Sequence, residues 1–81
     1  MTNAAFFFDV ATPTGVISDH EGTELASLQD ARTEAITDAR TLMSEAVLRG
    51  ADISSREIEI RSETGGILLM IPFSSTVRRE R

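Results

Sequence analysis

The chain contains no cysteine, tryptophan, tyrosine or lysine, and it has one histidine and two prolines among its 81 residues. Without cysteine there can be no disulfide framework, no thiolate metal site and no thiol nucleophile. A domain this small buries only about 60% of the surface that its unfolded chain exposes, so with no covalent staple it must lean on packing or self-association. The lone histidine, His20, sits between Asp19 and Glu21. A metal site needs three or four converging ligands, and adjacent loop residues point in different directions, so this trio reads as a solvated loop. Serine and threonine are plentiful, yet one distant histidine gives no nucleophile and base to pair. Long apolar runs are missing as well: nothing approaches the roughly 20 residues of a membrane span. The opening MTNAAFFFDVATPTG has no basic n-region and is interrupted by Asp9, unlike a signal peptide. A cytoplasmic protein without a membrane partner is expected.

Positive charge is carried by arginine alone, and Arg78, Arg79 and Arg81 lie in the last four positions. Residues 1–77 hold five arginines against twelve acids, a net of −7, and the tail 78–81 adds +2 to give the overall −5. A body this acidic repels phosphate backbones, which disfavours nucleic acid as a partner of the domain. The division expected is a single domain over 1–77 and a basic, solvated tail over 78–81.

Ala5 to Val10, AFFFDV, has the aromatic and β-branched content of a strand, and Pro13-Thr14-Gly15 provides a turn before Val16-Ile17-Ser18. Alternation places Phe6, Phe8 and Val10 on one face and Phe7 and Asp9 on the other. Asp19 to Gly22 breaks the pattern. Ser27 then offers an N-cap, with Asp30 in the first turn. Leu28, Ala31, Ala35, Ala39, Leu42, Met43, Ala46 and Val47 recur at three- and four-residue spacing, predicting one amphipathic helix that ends at Gly50. Arg32 falls within that stripe and is expected to snorkel.

Glu57 to Arg61 alternates charge with isoleucine, Glu63 to Gly66 forms a turn, and Ile67 to Phe73 returns with scarcely a polar residue. Pro72 cannot donate to a ladder and marks an edge. The expected fold is α+β and two-layered, in the order ββαββ: a four-stranded antiparallel sheet with one helix packed on one face. Its inner layer would take Phe6, Phe8, Val10, Ile58, Ile60, Ile67, Leu69, Ile71 and Phe73.

That assignment turns Phe7, Leu68 and Met70 outward. Their burial would contribute roughly 1.5–3 kcal/mol per side chain before association costs. They form the expected interface of a homodimer, with Glu57, Glu59 and Arg61 as its rim. Gly65-Gly66 lies in a hairpin and not before a helix, so it is no phosphate loop. No catalytic residue, metal ligand or cofactor is expected, and the chain does not read as an enzyme.

The succession FFFDV, DHEGTEL, SLQDARTEAITDAR and EIEIRSETGGILLMIPF resembles a family of short alphaproteobacterial proteins of unknown function, common in rhizobia and their relatives. Its elements fall at Phe6 to Asp9, Asp19 to Leu25, Leu28 to Ala39 and Glu63 to Phe73. The departures are His20, where an acid is common, and Thr64-Gly65-Gly66 in the turn. The resemblance implies a fold and carries no activity, cofactor or catalytic residue. A shorter stretch, SLQDARTEA from Ser27 to Ala35, is similar to the helix start in antitoxins of the HicB kind. These join a small α+β domain to a toxin and usually add a DNA-binding segment, for which no room is expected after Phe73. The expectation is therefore a self-associating, non-enzymatic interaction domain that could also hold a protein partner. The alternative is an antitoxin-like module neutralising a basic protein.

Overall fold

Aromatic and β-branched residues at the start of the chain build β1 (Ala4–Thr12), the longest strand in the computed structural model, which describes residues 2–78 and residue 80. The expected tail is thus represented by Arg78 and Glu80; Arg79 and Arg81 lie outside the described residues. Pro13 and Thr14 turn the chain into β2 (Gly15–Ile17), whose register pairs Thr12 with Gly15 and Val10 with Ile17. A further short strand, β3 (Thr23–Leu25), pairs antiparallel with the start of β1, Phe6 against Thr23 and Ala4 against Leu25. The helix α1 (Leu28–Leu48) follows, then β4 (Glu57–Arg61), β5 (Ile67–Pro72) and a 3-10 turn over Phe73–Thr76.

Among the described residues the architecture is α+β with one α-helix and an antiparallel sheet of five strands, not four, and the order is βββαββ. The main path runs β2-β1-β4-β5, and β3 joins β1 where β2 leaves off. Three residues are too few to show a period of two, so Thr-Glu-Leu gave no strand signal; its pairing is imposed by β1.

The helix begins as its sequence predicts. Ser27 Oγ accepts from the backbone N–H of Asp30 at 3.1 Å, leaving one fewer free donor in the first turn. At the other end Gly50 takes φ +80°, with its N–H on Val47 O and the Ala51 N–H on Ala46 O, a Schellman closure. Between the caps, Ala31, Ala35, Ala39 and Ala46 are fully buried. The helix therefore lies close to the sheet, and the bulk of the core comes from elsewhere: Phe6, Ile58, Ile60, Ile71 and Phe73. Phe73 N–H reaches Arg56 O at 2.9 Å, and Arg40 Nε donates to Thr76 O at 2.7 Å, so the 3-10 turn is tied to both layers.

Three expected inner residues are not inside, Leu28 at the first helical position being 39% exposed. Ile67 is 54% exposed because the β4–β5 register shifts between Ile60 and Arg61: Ile60 opposes Leu69, but Arg61 opposes Ile67. The extra residue, Leu68, is a bulge, and one inserted residue reverses the side-chain parity of what precedes it. Val47 is 67% exposed although its neighbour Ala46 is fully buried, so Val47 lies off the covered face of the last helical turn. Arg32, expected within the apolar stripe, is exposed.

Ile60→Val should lower stability by about 0.5–1.5 kcal/mol, since Ile60 is completely enclosed. Leu48→Ala, at an exposed helix end, should change it by less than about 0.5 kcal/mol. Urea unfolding followed by far-ultraviolet circular dichroism measures both, and equal effects would contradict this placement of the core.

Candidate functional site

The face of the sheet turned away from α1 is organised by strand register. Antiparallel partners share a face, which sets three rows across β1, β4 and β5: Phe7–Arg61–Ile67, Asp9–Glu59–Met70, and Ala11–Glu57–Pro72. Among the expected interface residues, Phe7 therefore does not adjoin Leu68 and Met70 directly. Glu57, Glu59 and Arg61 form a charged column along β4, with Phe7 on one side and Met70 on the other. Leu68, at the bulge, stays on the β5 side. Ile67, expected inside, joins Leu68 and Met70 as a third exposed apolar residue of β5.

On the β1 side the column meets a polar latch. Arg61 Nε donates to Asp9 Oδ2 at 2.7 Å and Nη2 to Asp9 Oδ1 at 3.3 Å. Asp9 Oδ1 also accepts the Asp19 N–H at 2.9 Å, and Asp19 Oδ2 accepts the Phe8 N–H at 3.0 Å. The other oxygen of Asp19 takes the N–H groups of Glu21 and Gly22, both at 3.2 Å. Asp19 is thus no solvated loop residue. It fills the gap in the β1 ladder between the pairings to β2 and β3, where Phe8 would otherwise lack an acceptor. The Arg61 guanidinium lies 5.1 Å from the centre of the Phe7 ring, a cation–π contact. Gly22 passes beneath the same ring at φ +73°. His20 is exposed, and no group of three or more His, Cys, Asp or Glu is placed to hold a metal ion among the described residues.

The electrostatics follow the hydrogen bonds. The Arg61 side chain, above all, holds the Asp9 carboxyl below its ordinary value of 3.8, against the opposing effect of burial. Burial pushes Asp19 upward, but the N–H donors of Phe8, Gly22 and Glu21 outweigh it, and the net shift is down. Arg61 is shifted up by the same bond to Asp9. Carboxyls with depressed folded-state pKa values contribute stability above about pH 4, lost as the pH falls through those values.

The far side of the face is bounded by β5, an edge strand. Phe73 N–H points toward β4, and ladder alternation turns Ile71 and Leu69 the same way, leaving the N–H and C=O of Met70 facing outward. Pro72 removes the next outward donor. From Ile67 to Phe73 the strand carries no charge. The outward face of β1 was legible from alternation, but the partners of Asp9 lie 10 and 52 residues away in the chain and have no local signature.

A family model described as "Domain of unknown function (DUF6894)" matches residues 5–74. Neither a search of curated proteins nor a search of solved structures returns a match. No helix among the described residues is long and apolar enough to cross a membrane.

Replacing Asp9 by Asn should cost about 1–3 kcal/mol at neutral pH, since it weakens charge-assisted bonds and the acceptor of the Asp19 N–H. It should also flatten the loss of stability on acidification from pH 4 to pH 2, read from urea midpoints across that range. Unchanged midpoints at both ends would rule out the latch as a stabilising feature. Gly22→Ala places a Cβ 2.9 Å from Phe7 Cε1 and forces a left-handed backbone on alanine. A loss of about 1–2 kcal/mol is expected from the backbone alone, measured the same way.

Proposed function

Because the chain belongs to the DUF6894 family, whose function is unknown, membership brings no activity, and we propose from its geometry a non-enzymatic interaction domain that pairs with a second copy through β5. The observation that carries this reading is the uncharged edge strand, with Ile67, Leu68 and Met70 exposed at 54%, 43% and 47%. Monomeric sheets usually protect such an edge with lysine, an inward charge or a covering element. Here Pro72 and the bulge blunt its two ends, and the middle stays open at Met70.

A strand meeting its own copy across a two-fold axis runs antiparallel to it, so β5 supplies both halves of a closed, isologous contact. Side chains of Met70 and Ile67 would be covered from one side, while Glu57 and Glu59 stay hydrated as a rim. Phe7 belongs to the Asp9–Arg61 latch and takes no part. An apolar strip joined to an acidic, lysine-free surface favours one committed contact over general stickiness.

Sedimentation equilibrium over a wide concentration range tests the reading, with interference optics because tryptophan and tyrosine are absent. The wild-type chain should weigh twice its 8.8 kDa. Met70→Glu should be monomeric with an unchanged helix signal, Met70 being exposed. A wild-type monomer at every concentration would overturn the proposal. So would a basic protein co-purifying at fixed stoichiometry in place of a second copy, which would favour the antitoxin-like alternative.

A further inference from the structure

A cleft of about 220 Å³ opens between α1 and the inner side of the sheet. Its walls are Phe8 and Val10 of β1, Ile58 of β4, and Asp38, Thr41 and Leu42 of α1. Four of these six are apolar and border the core. One carries charge. Among the described residues the Asp38 carboxylate has no hydrogen-bond or ion-pair partner, the ion pair found there being that of Asp9 with Arg61. The nearby ionised groups that act on it are Glu34 and Asp19, both acidic, and no arginine among the described residues lines the cleft. The Thr41 hydroxyl donates to Thr37 O at 3.1 Å, which leaves its oxygen lone pairs available to accept.

Each feature excludes a class of ligand. An anion would meet Asp38 with Glu34 and Asp19 behind it. A neutral hydrocarbon would fit the apolar wall but strip water from a carboxylate and return nothing for it. An ammonium group on a short apolar body satisfies both parts: its N–H donors meet the Asp38 carboxylate and Thr41 Oγ1, and its carbon atoms cover Phe8, Val10, Leu42 and Ile58. At roughly 30 Å³ per water the space corresponds to about seven waters, or a body of about six to eight heavy atoms.

We propose that this cleft is a binding site for a small primary alkylammonium or alicyclic ammonium ion. Burial and the two neighbouring carboxylates push the Asp38 carboxyl above its ordinary value, an electrostatic penalty that a bound cation relieves. A second copy of the chain cannot supply this group from a side chain, since the sequence has no lysine. The site is independent of pairing through β5, because no residue of β5 lines it.

Hexylamine, hexan-1-ol and hexanoate titrated into the full chain test the assignment, with methyl resonances of Val10, Leu42 and Ile58 as the readout. Hexylamine should shift these methyl groups saturably, hexan-1-ol should bind at least tenfold more weakly, and hexanoate should have no effect. Asp38→Asn keeps the shape and removes the charge. Asp38 bonds to nothing among the described residues, so the variant should keep its helix signal while its affinity for hexylamine drops to that for hexan-1-ol. Equal affinity for amine and alcohol, undiminished binding by Asp38→Asn, or shifts confined to methyl groups outside the cleft would each overturn the assignment.

Discussion

Everything in this domain hangs on β1 being paired along both edges. One edge is taken by β4 from Phe7 to Ala11, and the other is shared between β2 and β3. The two short strands cannot meet, because the chain makes a five-residue excursion, Ser18 to Gly22, opposite only three residues of β1. The Asp19 carboxylate closes that gap by taking the Phe8 N–H, and Asp9 joins Asp19 to Arg61 on β4. One set of charge-assisted bonds thus connects the edge excursion, the central strand and the next strand. The register it holds decides which side chains meet the helix.

The second constraint is one of size. A helix presenting alanine at its fully buried positions contributes little apolar area of its own, yet its thinness lets large side chains from the sheet reach its backbone. The core is therefore asymmetric, heavy on the sheet side. In the last helical turn Ala46 is covered while Val47 and Leu48 stay in water. Beside Phe8 and Val10 the same thinness leaves a cleft with Asp38 in its wall. The surfaces most open to function are thus by-products of how an 81-residue chain distributes its bulk.

Much of the fold was legible because it is periodic. The helix and both of its caps follow from the alanine spacing, Ser27 and Gly50, and the two long strands of the second hairpin follow from EIEIR and ILLMIP. Inward placement of Phe6, Ile58, Ile60, Ile71 and Phe73 came from the same source. The third strand was not legible, since three residues carry no period. The exposure of Ile67 was hidden by a bulge, which changes parity without changing composition. Asp19 read as loop and Arg61 as rim, because the partners that give them a structural role are supplied by other strands. Of the expected outer residues, Leu68 and Met70 share an edge strand, and Arg61 lies between them and Phe7.

By itself, then, the sequence determined one amphipathic helix, an antiparallel sheet, the absence of thiol chemistry and an acidic surface, all properties of composition and of contacts between near neighbours. Only the tertiary structure decided that β3 exists, that Ile67 faces water, that Asp9 has an arginine across the strand, and that Asp38 lines an apolar cleft. The division has a physical cause. Helix faces and strand alternation repeat every few residues and are written along the chain, whereas a bulge, a cross-strand ion pair and an empty space depend on distant segments coming to rest beside each other.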